Sequence, residues 1–415
     1  MREKLSVIYT EDKLACQGKR YESVAAAFEK EFGAAPEHFF SAPGRSEICG
    51  NHTDHNHGRV IAGSVSLDVL AVAARREDGI VRVFSEGFPE DTVSPADVEA
   101  PNPEYFFRSR AIIAGMERAF LDAGYQIGGF DAATVSNVLK GSGLSSSAAF
   151  EVMIGNILNH LYNGGRVSNV EIAKMAQYAE NVYFGKPCGL MDQTACAVGG
   201  FITIDFADPA APVIEKLNFD LSGAGYALCI TDTGGNHADL NEDYASVPAE
   251  MKAVAAALGQ DVLRPLSRED IVANIPALRQ KCGDRAILRA MHFVAENERV
   301  DAQVDALRRG DVNGFFAGVL ASGASSFRYL QNVYTTKNVG EQGLSLALCL
   351  TESYLTEKCG KSCAWRVHGG GFAGTIQAFV PRTEAAGYAR FMEGVFGEGS
   401  VYVLQIRPEG AIRLA

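Results

Sequence analysis

The sequence predicts a two-domain protein of mixed helix and strand, and three observations carry that reading. The chain has 415 residues, past the length at which a single hydrophobic core stops growing, so two domains are expected. Helical and strand-like stretches alternate along its length, with the proline-rich stretch Pro209-Ala210-Ala211-Pro212 between the halves. No fixed-period repeat or low-complexity tract interrupts them, which sets solenoids aside. The domains are expected at residues 1–210 and 211–415.

From the amino terminus, Val24, Phe28 and Phe32, four residues apart with alanines between, predict a helix that stops at Gly33. The run from Phe39 to His57, rich in Gly, Pro, Asn, Asp and His, is expected as a loop. Alternating Val65, Leu67, Val69 and Ala71 predict a strand within Val60 to Ala74, and Thr134 to Leu139 reads as another. After a glycine-serine segment, Phe150, Met153, Ile154, Ile157, Leu158 and Leu161 fall on one helical stripe. A further helix from about Val170 to Tyr183 should stop at Gly185-Lys186-Pro187, and Val198 to Ile204 resumes strand character. Beyond the proline stretch, helices are expected over Arg285 to Arg309 and Leu344 to Lys358. Strands are expected at Gly225 to Asp232, Ala364 to His368, Thr375 to Val380 and Val401 to Ile406.

Composition narrows the function. Hydrophobic content of 47% and charged content of 21% are those of a folded soluble protein. A net charge of -12 without a basic patch argues against a nucleic-acid partner, although local glycine amides and helix dipoles can still hold a nucleotide. No apolar run reaches bilayer length and the first residues lack an apolar signal core, so no membrane partner and a cytoplasmic location are expected. Nine dispersed cysteines read as reduced thiols, and Cys359 and Cys363 lack companion metal ligands.

Three segments carry chemistry. Gly141-Ser142-Gly143-Leu144-Ser145-Ser146-Ser147 lies between a strand and a helix, where glycines curl the backbone so that N–H groups and a helix N-terminus face an anion. It matches neither a Walker A loop nor a dinucleotide fingerprint, and a capped turn accounts for it equally well when it is taken alone. Gly44 to Gly58 gathers an arginine, two acids and polar side chains able to bind vicinal hydroxyls; its His52, His55 and His57 lack the further cluster that a closed metal site needs. Gly185 to Gln193 places Asp192 in a tight turn, where a carboxylate either caps the next segment of chain or orients a substrate hydroxyl and takes its proton.

In this order the three segments resemble the galactokinase branch of the GHMP kinase superfamily, and Arg366-Val367-His368-Gly369-Gly370-Gly371-Phe372-Ala373-Gly374 resembles that superfamily's third motif. The resemblance implies a two-domain α+β fold, with mixed sheets, helices packed on one face and the active site in the interdomain cleft. The family's first motif reads Gly-Arg-Val-Asn-Leu-Ile-Gly-Glu-His-Thr-Asp-Tyr-Asn, so its arginine falls on Arg45, its histidine on His52 and its sugar-binding aspartate on Asp54. Asn51 stands where the family has glutamate, and His55 where it has tyrosine.

By the same resemblance, Asp192 is the catalytic aspartate with Arg45 beside it, and Arg45, Asn51, His52, Asp54, Gly189, Asp192 and Tyr244 line the sugar. Gly141, Ser142, Gly143, Leu144, Ser145, Ser146 and Ser147 would cradle ATP, with Ser147 and Glu180 on Mg²⁺. The implied activity is phosphorylation of galactose by ATP at the anomeric hydroxyl. The alternatives are a kinase for N-acetylgalactosamine, galacturonate or arabinose, and a non-catalytic sensor that binds galactose and ATP. Tyr105, Phe106 and Phe107 are candidates to sandwich the adenine.

Overall fold

Most of the polar run expected as a loop is a strand. In the computed structural model, which describes residues 2–138, 143–235 and 240–414, β1 spans His38–Cys49 and pairs antiparallel with β2, Arg59–Arg75. β1 is buried from Phe40 to Cys49, and a strand buried on both faces need not alternate apolar with polar. Its polar side chains find partners far away in the chain: Ser41 donates to Asp68 at 2.6 Å and Ser46 to Gln377 at 3.0 Å.

β3 (Val81–Ser85), β4 (Asp91–Val93), β5 (Phe130–Ser136), β6 (Phe201–Asp205) and β7 (Val213–Leu217) extend the first sheet. β8 (Tyr226–Asp232), β9 (Ala364–Val367), β10 (Thr375–Pro381) and β11 (Val401–Leu404) form a second, antiparallel sheet in the order β11-β8-β10-β9. The last strand, β12 (Ile412–Arg413), returns to the first. The first sheet runs β12-β1-β2-β5-β3-β4, and β6 also pairs with β2 and carries β7. β2 serves two partners along one edge: residues 59–63 face β6 and residues 69–75 face β5. Among the described residues only β3 and β5 run parallel.

The proline stretch read as a linker is the turn between β6 and β7, closed by Ala211 N–H donating to Asp208 O at 3.1 Å. Prolines suit a hairpin end as well as a linker, because both forgo a ladder donor. The first sheet therefore continues to Leu217, past the boundary expected at residue 210, and β12 adds the far end of the chain to it.

Helix Ser146–Tyr162 packs on β1 and is buried nearly all round rather than along one stripe, because helices Ser109–Asp122, Asn169–Tyr178 and Met191–Val198 enclose it. On the other face of the sheet, helix Leu14–Phe32 lays Tyr21, Val24 and Phe28 against Leu70, Val72 and Ala133, ending at Gly33 with φ 71° as its glycine stop predicts. Helices Gly343–Cys359 and Arg382–Phe396 cover the second sheet. Helices Asp284–Arg308 and Val312–Ser325 join the halves: Phe315 sits 6.0 Å from Phe201 of the first sheet and 5.3 Å from Phe379 of the second, ring to ring. No helix among the described residues is long and apolar enough to cross a membrane.

Candidate active site

A bulge in β1 starts the site. The β1–β2 register shifts between Pro43 and Arg45, which frees the Arg45 N–H from the ladder to donate to Leu144 O at 3.0 Å. Gly44 permits the approach, since a Cβ there would lie 2.8 Å from that same oxygen. The glycine-serine segment is thus docked on the strand that carries Arg45. Arg45 then spans two segments with its side chain: Nε and Nη2 donate to the two Asp192 oxygens at 2.7 and 2.6 Å, and Nη1 donates to Gly143 O.

Ser145 completes the group. It holds a left-handed backbone, φ 55°, that a non-glycine residue adopts only where its surroundings dictate it. Its hydroxyl donates to Asp192 Oδ2, and helix Ser146–Tyr162 begins at the next residue. Burial pushes the Asp192 carboxyl up, but the Arg45 guanidinium, the Ser145 hydroxyl and Lys186 outweigh it and hold it below the usual carboxylate range. A third of the Asp192 side chain remains exposed, so the ionised group faces open space.

The glycine-rich third motif, the turn between β9 and β10, grips the first. Three successive carbonyls accept from two segments: Gly369 from Asn51 Nδ2 at 2.7 Å and Gly370 from the adjacent His52 Nε2 at 2.9 Å, both in the turn after β1, and Gly371 from the Tyr244 hydroxyl at 2.9 Å. A carbonyl only accepts, so His52 Nε2 carries the proton; burial pushes the ring's pKa down to about 4, which leaves it neutral with Nδ1 as an acceptor. A Cβ added to Gly143 would come within 3.2 Å of the His368 ring, so the second motif touches the third as well.

Asp54 sits in the short helix Asp54–Asn56 with its side chain 21% exposed, and His55 Nε2 lies 3.6 Å from its carboxylate. A Cβ on Gly189 would meet Asp54 Oδ2 at 2.8 Å, so only glycine at 189 leaves that carboxylate where it is. Asn51 is placed differently from the others. It is wholly buried, and its amide is spent on the protein: Nδ2 donates to Glu47 and Gly369, while Oδ1 accepts from Asn332 at 2.8 Å and Ser326 at 3.3 Å.

At the opposite end, helix Asn169–Tyr178 passes into a π-helical turn, Ala179–Phe184, that buries Glu180. One Glu180 oxygen accepts from Lys186 at 2.9 Å and the other from Gln193 Nε2 at 2.8 Å; Gln193 also donates to Glu151 at 3.0 Å. Glu151 Oε1 is buried with no hydrogen-bond partner among the described residues. Burial and the neighbouring Glu180 charge push the Glu151 carboxyl well up. Two carboxyl groups so placed can offer Mg²⁺ hard oxygen donors once Glu151 gives up its proton, although among the described residues no three His, Cys, Asp or Glu side chains form a ready metal cluster. Ser147 is exposed on the first turn of its helix. Gly141 and Ser142 lie outside the described residues. Of the aromatic candidates, Phe107 is 68% exposed and meets Phe184 edge-on at 5.6 Å, Phe106 packs on Gly185, and Arg110 lies over Tyr105 at 4.2 Å.

Sequence reasoning missed Glu47, Glu151, Gln193, Lys186 and Arg366 as members of this site. Glu151 lies one helical turn beyond Ser147, a spacing that places it on the same face. Glu47 shares a strand face with Arg45, but reading β1 as a loop hid that two-residue period.

The model of the GHMP kinases N terminal domain matches residues 110–200, and the galactokinase galactose-binding signature matches residues 26–75. A galactokinase of Homo sapiens is 30% identical over 400 residues, covering 93% of this chain and 94% of its own. The chain belongs to the galactokinase family. A galactokinase of Streptomyces coelicolor is 36% identical over 311 residues, 74% of this chain and 78% of that one. The galactokinase of Lactococcus lactis, solved in complex with galactose, superposes with a TM-score of 0.77 at 26% identity over 94% of this chain and 99% of that one. A mevalonate kinase at 13% identity and TM-score 0.63 shares the fold alone. The α+β two-domain GHMP architecture is therefore the one this chain adopts, and the galactokinase signature spans the strand and loop from Arg45 to Asp54.

Proposed function

We propose that the chain transfers the γ-phosphoryl group of ATP to the anomeric hydroxyl of galactose, giving galactose 1-phosphate and ADP. The Arg45–Asp192–Ser145 constellation carries the reading: an ionised carboxylate, clamped from behind, lies at the mouth of a helix N-terminus. Asp192 would orient the acceptor hydroxyl and take its proton as the phosphoryl group departs. Arg45 fixes both Asp192 oxygens, and it offsets charge on the transferring group.

At the sugar, Asp54 and the acceptor nitrogen of His52 offer hydrogen-bond acceptors to vicinal hydroxyls, with Gly189 and Tyr244 forming walls. The amides of Gly143, Leu144, Ser145 and Ser146 at the helix start face the phosphates. Ser147 and Glu180 would hold Mg²⁺, with the unpartnered Glu151 oxygen behind them. Bound there, the ion would neutralise charge on the β- and γ-phosphates. Lys186 beside Glu180 adds a positive charge to the same end.

The test is ADP release with a panel of hexoses and pentoses that includes N-acetylgalactosamine, galacturonate and arabinose, with the product's phosphate position read by NMR. Galactose as the best acceptor, phosphorylated at the anomeric position, is expected. Another preferred acceptor would redirect the reading, and galactose binding without turnover would turn it to a sensor.

A further inference from the structure

The acid and the amide of the first motif have changed places in this chain. Set against the family's Gly-Arg-Val-Asn-Leu-Ile-Gly-Glu-His, the segment Gly44 to His52 carries glutamate at 47 where the motif has asparagine, and asparagine at 51 where it has glutamate. The two side chains touch: Asn51 Nδ2 donates to Glu47 Oε1 at 2.9 Å. A double exchange across one hydrogen bond keeps both chemical groups and moves the charge four residues back along the chain.

The geometry shows where the charge went. Between Arg45 and Glu47 the β1–β2 register is unbroken, so the two point to the same face of β1, and Arg45 on that face holds Asp192. Ser46, between them, points the other way to Gln377. Two residues along a strand is about 7 Å, so Glu47 stands that far along the same face from the residue that holds Asp192. Asn51 has no amide valence left for a ligand, as its four protein partners show. Glu47 has one: Oε1 takes both Asn51 and Arg366, the latter at 3.3 Å, while no hydrogen bond engages Oε2 among the described residues, and the side chain keeps 9% exposure. Burial pushes the Glu47 carboxyl up to about 7 even with Arg366 beside it, as expected of a carboxylate lacking one partner.

We infer that Glu47, and not Asn51, is the group that accepts a hydrogen bond from a sugar hydroxyl remote from the phosphorylated one, and so sets specificity at that end of the acceptor. Asn51 is a strut that holds Glu47 and the glycine-rich turn in place. The carboxyl at 47 accepts from a neutral hydroxyl there and, in its ionised form, repels a uronate. This inference rests on the sugar-kinase reading of the site.

The experiment compares wild type, Glu47→Gln and Asn51→Ala on the best acceptor of the panel, its monodeoxy analogues and its uronate. It reads kcat/KM, or Kd where turnover is absent. A hydrogen bond to a charged group predicts that one deoxy analogue is penalised about tenfold or more in wild type. In Glu47→Gln that penalty collapses, KM for the parent sugar rises, discrimination against the uronate relaxes, and KM for ATP stays put. Asn51→Ala should lower Tm and reduce the deoxy penalty less than Glu47→Gln does, because Arg366 still holds the Glu47 carboxylate. Unchanged deoxy penalties in Glu47→Gln, or their collapse in Asn51→Ala alone, would overturn the inference. A best acceptor other than galactose would sink the galactokinase reading, while the Glu47 comparison is still decided on that acceptor.

Discussion

Arg45 and Asp192, 147 positions apart, meet in a two-pronged ion pair with contacts of 2.7 and 2.6 Å. The pair sets the protonation state of the carboxylate that faces the acceptor. Burial acts to raise its pKa and Arg45 acts to lower it, and Arg45 with its neighbours prevails. Removing Arg45 takes away the largest opposition to burial and leaves only the Ser145 hydroxyl and Lys186 against it. The active form is the ionised one, so activity falls as pH drops through this pKa. In Arg45→Gln the acid limb of kcat/KM should therefore lie at higher pH than in wild type. Profiles from pH 4 to 8 check this; coincident acid limbs would show that Arg45 does not control Asp192.

Asp192 itself should matter to turnover far more than to binding. Asp192→Asn keeps the size of the side chain and one acceptor oxygen for Arg45, but cannot take a proton. The expected loss in kcat is about a hundredfold or more, with galactose and ATP affinities within a few-fold of wild type by calorimetry. Near-normal turnover would remove Asp192 from the proton's path.

How much of this was legible in the sequence depends on what held each residue in place. Asp192, Arg45 and the glycine-serine segment stand in motifs whose order survives in one dimension, and helix stops at Gly33 and Gly185 follow from local backbone chemistry. Glu47 and Asn51 were not legible as a pair, because the polar content of β1 argued for a loop and its partners, Gln377 and Arg366, lie more than 300 residues away. The β6–β7 hairpin was misread for the same reason: prolines mark an interrupted ladder, and only pairing tells a turn from a linker.

Gly189 tests the sugar end without touching charge. Its backbone is not in the left-handed region, so an alanine there is resisted by space alone: the new Cβ would lie 2.8 Å from Asp54 Oδ2. The carboxylate must turn away, and a hydroxyl that it accepts loses its partner. Gly189→Ala should raise KM for the sugar by about tenfold, the worth of one charged hydrogen bond, while KM for ATP and Tm change little. An equal rise in both KM values would point to a general disturbance of the cleft.

Glu296 tests how the second half of the chain supports the site. This carboxylate, wholly buried on helix Asp284–Arg308, accepts from the Gly50 N–H at 3.1 Å, the Asn51 N–H at 3.4 Å, the Cys49 thiol at 3.3 Å and the Ser322 hydroxyl, and pairs with Arg299 at 2.7 Å. Burial raises its pKa, but His292, Arg299 and Arg366 lower it far more, so it is an anion at neutral pH. Glu296→Ala leaves two buried amides and an arginine without their shared acceptor, a loss of about 3–5 kcal/mol by the usual scale for breaking a buried pair. Glu296→Gln retains one acceptor oxygen and should cost less, about 1–3 kcal/mol. Urea unfolding with unchanged m-values would measure both. The loop that these amides start carries His52 and Asp54, so Glu296→Gln should also raise KM for the sugar at a temperature where the protein is fully folded. A full loss of stability with an unaltered KM would mean that the helix braces the fold and not the sugar loop.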